Sequence, residues 1–146
     1  MERKALIELW NDAWQEGLWA APWSKVLGGL TASQAVWKPQ PARHSIWQIA
    51  HHLLFWRGVT LRVARGEPEP DQAEIGRRNW EEPSQTNTEA WNKTVHRFET
   101  SHREMVEALT TADRELERFH YHLFHDSYHV GQIMQLRAMQ SLAPIV

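Results

Sequence analysis

His125-Asp126-Ser127-Tyr128-His129-Val130-Gly131-Gln132-Ile133 decides the fold. Its two histidines are four residues apart, which on a helix puts both imidazoles on one face, roughly 5–6 Å apart. Two imidazoles so placed can share a divalent metal. Catalytic zinc and its neighbours usually take three protein ligands and leave one position open. A third ligand has a candidate in His52, on a different helix.

The helix that carries the pair runs from about Arg118 to Leu142. Its inward face reads His122, His125, His129, Gln132 or Ile133, Leu136 and Met139 or Gln140. That face is polar in its first half and apolar in its second. A buried imidazole must be hydrogen-bonded or liganded, so histidines where a bundle wants leucine require partners.

Three more helices precede it. Residues 2–20 place Leu6, Trp10, Ala13 and Trp14 at helical spacing, and Pro22, Gly28 and Gly29 break the pattern. Residues 28–44 form a connection with one short helical turn around Ala32–Ala35. Ser45 followed by Gln48 fits a capping box and opens the second helix. Ile46, Ile49, His52 or Leu53, Trp56, Val59 or Thr60 and Val63 mark its inner face, and Gly66 and Pro68 end it. His51 points about 100° away from His52. Residues 67–87 carry three prolines, few aliphatics and Trp80, and read as a long loop of the kind that forms lids. The third helix runs from about Thr88 to Thr110, with Trp91, Val95, Phe98, His102, Met105 and Leu109 along its seam. No stretch has the alternation of a sheet. The expected fold is an all-α four-helix bundle, one domain over residues 1–146, with a long loop between helices 2 and 3.

Composition narrows the function. The chain has 146 residues, 16 basic and 18 acidic, for a formal net charge of -2. That balance gives no reason to expect nucleic acid or an anionic membrane as partner. No stretch approaches the ~20 apolar residues of a membrane span, and the first residues lack a signal peptide's apolar run. A cytoplasmic protein acting on a small molecule is expected. There is no cysteine, so any thiol chemistry uses a thiol from outside. Nine tryptophans belong mostly to core or pocket wall.

The remaining histidines have plainer roles. His102 reads as a satisfied core residue, His96 and His120 as solvated, and His44 as a loop residue. His122, one turn before His125, is a ligand or a neighbour of one.

The run Ser45-Ile46-Trp47-Gln48-Ile49-Ala50-His51-His52 with Trp56 resembles the second-helix signature of the DinB/YfiT-like superfamily. The stretch from His125 to Ile133, continuing to Leu136-Arg137, is similar to its second signature, and Trp91 after a proline-containing loop is similar too. The likeness spans roughly residues 5–140. It implies a four-helix bundle, often a homodimer, whose three histidines bind a divalent metal such as Zn or Ni. By position these are His52, His125 and His129, and a one-residue shift in alignment would put His51 in place of His52. Characterised members of the family include thiol-dependent S-transferases and a mycothiol-dependent isomerase.

Three neutral imidazoles would leave the metal its full charge, able to deprotonate a bound thiol or water. Asp126, Gln48 and Gln132 are candidates to orient the rings. Tyr128 reads as packing, Trp56 as packing or pocket wall, and Gly131 as the site of a close helix contact. Arg77, Arg78 and Arg137 are candidates to meet a thiol cofactor's carboxylates. Three functions fit: transfer of a low-molecular-weight thiol to an electrophile, hydrolysis by metal-bound hydroxide, and non-enzymatic metal binding in a stress response.

Overall fold

A computed structural model describes residues 2–145, and it is all helical, with no strand among the described residues. Four long helices form the body: α1 (Arg3–Gln15), α3 (Ile46–Ala64), α5 (Thr88–Thr111) and α6 (Leu116–Met139). Two short ones, α2 (Ala32–Val36) and α4 (Gln72–Arg78), lie in the connections, with a 3-10 turn at Trp23–Lys25. Both α1 and α3 pack against α5 and α6.

Local sequence explains the boundaries. The Ser45 hydroxyl accepts from Gln48 N at 3.1 Å, and Gln48 Oε1 accepts from Ser45 N at 3.1 Å. This closes the capping box that starts α3. Thr31 and Gln34 repeat the device at α2. The first helix stops at Gln15, five residues short of the expected end. Gly17 turns the chain with φ +85°, and a Cβ there would lie 2.3 Å from the Ala20 carbonyl oxygen. Only glycine fits such a turn.

The 67–87 stretch is not a bare loop. Asp71 caps α4 by accepting from Glu74 N at 2.8 Å, and α4 leads into residues 79–81, which lie along α3. The signal was short: one Asp-to-Glu cap ahead of seven residues, none of them buried.

The core joins Leu6 and Trp10 of α1, Ile46, Ile49 and Leu53 of α3, Trp91, Phe98, Met105 and Leu109 of α5, and Phe119 and Ile133 of α6. The buried indoles keep their N–H groups satisfied. Trp10 donates to Phe119 O at 3.0 Å, Trp47 to Thr94 Oγ1 at 3.0 Å and Trp91 to Leu30 O at 3.0 Å. Each buried indole contributes roughly 3 kcal/mol and avoids a penalty of about 1–3 kcal/mol for a stranded donor.

Two sequence expectations change here. Arg137 is buried and donates to Val26 O at 3.0 Å and Gly28 O at 2.9 Å, so it staples the connection after α1 and does not meet a ligand. Gly131 makes no close helix contact, since a Cβ added there would meet nothing within 4 Å.

Candidate metal centre

His52 leaves α3 toward α6, where His125 and His129 stand one turn apart. Each of the three offers a ring nitrogen within 4.8 Å of the others. His52 Nε2 lies 3.1 Å from His125 Nε2. The rings of His125 and His129 are 4.7 Å apart by centroid, and those of His52 and His129 4.5 Å. His51 is elsewhere: its Nδ1 bonds Glu81 O at 2.8 Å, away from the cluster.

Every Nδ1 of the three has an acceptor. His52 Nδ1 donates to Asn79, whose Oδ1 lies at 2.8 Å and whose backbone O lies at 3.0 Å. His125 Nδ1 donates to Asp126 Oδ1 at 2.8 Å, and His129 Nδ1 to Gln132 Oε1 at 2.7 Å. A carbonyl or carboxylate only accepts, so in the neutral rings the proton sits on Nδ1 and Nε2 carries a lone pair. The lone pairs of His52 and His125 then face each other at 3.1 Å. A cation between them would relieve that contact. This donor set fits a divalent metal.

Two of the three expected orienting groups, Asp126 and Gln132, take this role; Gln48 does not. Its Oε1 caps α3 and its Nε2 donates to Trp80 O at 3.1 Å. Asn79 replaces it, and also accepts from Trp56 Nε1 at 2.8 Å, so Trp56 braces the acceptor of His52. Tyr128 is exposed, and its hydroxyl accepts from Gln132 Nε2 at 3.2 Å. Trp80 stacks on His52 at 3.7 Å and 5°, with His44 on its other face at 3.9 Å.

Beneath the three rings lies a buried polar network that the sequence reading missed. Arg57 Nε donates to Asp126 Oδ2 at 2.8 Å, with both side chains fully buried. Arg57 Nη1 reaches Ser101 Oγ at 2.9 Å, and the guanidinium sits 4.7 Å from the Phe98 ring. His122 Nδ1 donates to Asp126 Oδ1 at 3.1 Å while its Nε2 pairs with Thr60 Oγ1 at 2.8 Å. His122, His125 and Asp126 also fall within ligand distance of one another, but hydrogen bonds already hold that set together. His122 therefore neighbours the site.

The electrostatics keep the rings ready. Burial pushes the Asp126 carboxyl up, but Arg57, His122 and the two imidazole hydrogen bonds hold it well below the usual carboxylate range. Burial, aided by His129, lowers His52 to about 4, against the bonds from Asn79 that raise it. Burial likewise lowers His129, with Gln132 opposing. Both rings are neutral at pH 7 and need lose no proton to bind a metal. His102 is core, but not the satisfied residue expected, because its buried Nδ1 has no hydrogen-bond partner. It stacks on Trp14 at 4.4 Å, and burial with the Arg57 charge lowers it to about 3.

No helix among the described residues is long and apolar enough to cross a membrane. No curated protein and no solved structure matches the chain. A family model of the DinB superfamily matches residues 20–138, a span that holds all three clustered histidines and the groups that orient them, and the chain belongs to that superfamily.

Proposed function

We propose that His52, His125 and His129 bind one divalent metal, zinc or nickel, and that the protein uses it to transfer a low-molecular-weight thiol to an electrophilic small molecule. The observation that carries the metal is the 3.1 Å approach of two Nε2 lone pairs whose tautomers are fixed from behind. Bound there, the metal would supply a Lewis acid that holds a thiol as its thiolate at neutral pH. Asn79, Asp126 and Gln132 keep the three rings aimed, and Trp80 covers one face of His52 against water. With no cysteine in the chain, no protein thiol competes for the site. In the reaction the sulfur bonds to the electrophilic carbon, the leaving group departs with its electron pair, and the thiol proton passes to solvent.

Elemental analysis tests the site: metal content should collapse in His52→Ala, His125→Ala and His129→Ala, and stay near wild type in His51→Ala and His96→Ala. For the reaction, metal-loaded protein is offered a reporter electrophile with a panel of small thiols. The rate should exceed background and vanish on chelation. Metal-dependent cleavage of an activated ester with no thiol transfer would make the protein a hydrolase. Full occupancy with neither activity would leave it a metal-binding protein.

A further inference from the structure

His52 and His129 are each only 6% exposed, whereas the His125 side chain is 33% exposed. His125 is thus the most open of the three rings to solvent. That ring lines a cavity of about 490 Å³, large enough for a bicyclic aromatic group. Trp56 and Tyr121 also line it. The Trp56 indole is held by its bond to Asn79 Oδ1, while Tyr121 is exposed at 61% and stacks on His120. Thr60 and His122 line it as well, and their polar atoms already satisfy each other at 2.8 Å, so they ask no hydrogen bond of a ligand. The charged groups are Glu115, Glu117 and Arg118. Arg118 is spoken for: its Nε donates to Glu115 Oε2 at 2.9 Å and its Nη2 pairs with Glu69. Glu117 has no cation paired with it among the described residues. The charged lining is thus net negative and offers an anion no unoccupied guanidinium.

We propose that this cavity binds the aromatic body of the electrophilic substrate, and that its carboxylates select an aryl compound whose outer end is neutral or cationic over one bearing a carboxylate. The assignment rests on reading His52, His125 and His129 as the metal site, of which His125 is the member that lines the cavity. Aryl faces stack on Trp56 and Tyr121, and a cation at the outer end meets Glu117.

The test uses the full chain loaded with zinc and three probes of one shape: naphthylmethylamine, naphthylmethanol and naphthoate. Calorimetry should rank them in that order, the amine ahead of the alcohol by about threefold, as expected for one exposed charge. Tyr121→Ala should weaken the alcohol about tenfold. Glu117→Gln should erase the amine's lead while leaving the alcohol unchanged. In cobalt-loaded protein the alcohol's ring protons should relax faster than in zinc-loaded protein, which places it beside the metal. Naphthoate binding tightest, no probe binding, or a Tyr121→Ala variant that binds like wild type would each overturn the proposal. If the chain takes up neither zinc nor cobalt, the metal reading fails, and calorimetry on the same chain still decides whether the cavity holds the aryl group.

Discussion

Asn79 and Gln132 do the same work for different histidines, and the structure says they should not matter equally. His52 Nδ1 has two acceptors, Asn79 Oδ1 at 2.8 Å and Asn79 O at 3.0 Å. His129 Nδ1 has one, Gln132 Oε1 at 2.7 Å. Losing the group that orients a metal-bound histidine costs about 10- to 100-fold in affinity. Asn79→Leu deletes one acceptor, but the backbone carbonyl still fixes the tautomer, so the loss should fall near tenfold, roughly 1.4 kcal/mol. Gln132→Leu leaves His129 no acceptor from the protein, so the loss should approach about a hundredfold, roughly 2.7 kcal/mol. Gln132 is half-buried, and a water taking its place makes that figure a ceiling. The assay is competition for zinc against a chromophoric chelator at neutral pH, on variants first shown to melt cooperatively. Equal losses, the reverse order, or wild-type affinity in Gln132→Leu would refute the claim that these bonds fix the rings.

Three further outcomes follow from the same structure. Arg57→Met should destabilise the metal-free chain by about 3–5 kcal/mol in urea unfolding, because it strands the fully buried Asp126 carboxylate, and adding Asp126→Asn should recover part of the loss. His102, lowered in the fold to about 3 from 6.5, makes the protein acid-sensitive. The unfolded chain takes up that proton first as pH falls, so stability is intact above about pH 6.5 and is lost below it, by about 2 kcal/mol near pH 5. His102→Phe should therefore flatten the melting temperature between neutral and acid pH relative to wild type. Finally, we propose the homodimer expected from the sequence, paired through the outer face of α6, where Phe124 and Tyr128 are 66% and 65% exposed. Light scattering should give twice the chain mass at tens of micromolar, and Phe124→Glu should halve it; a monomeric wild type would end the idea.

The helices were legible because their causes are local. Ser45 and Gln48 announce the start of α3, and the capping box formed as expected. Of the expected seam, Trp91, Phe98, His102, Met105 and Leu109 are buried along α5, and Val95 is partly buried. The fourth helix came out within a few residues of its reading, at Leu116–Met139. Boundaries failed where backbone geometry overrode side-chain pattern. Trp14 and Leu18 continue the apolar spacing of α1, yet Gly17, Leu18 and Trp19 all adopt positive φ and the helix ends before them. Periodicity does not see a turn that one glycine's missing Cβ makes possible.

The candidate site divides along the same line. His125 and His129 share a face by spacing alone, and Asp126 and Gln132 sit within three residues of the rings that they orient, so one helix encodes both ligand and support. His52 needed only the phase of its own helix. Its support comes from a segment whose path no period dictates. Asn79, Trp80, Glu81 and Glu82 are fastened one after another by His52, Gln48, His51 and Lys38, so four consecutive residues dock through contacts to three residues of α3 and one before it. Gln48 was named for the right reason and used for another: its Oε1 is committed to the cap, and its Nε2 donates to the Trp80 carbonyl. Arg57 did leave a trace in the sequence. It stands four residues after Leu53, where the inner face of α3 calls for an apolar side chain, and a charge at such a position implies a buried opposite charge nearby. The acid it required was Asp126, between the two histidines of the decisive stretch. The residue that holds His125 in place is also the one that makes a buried arginine tolerable, and that couples the stability of the bundle to the geometry of the three rings.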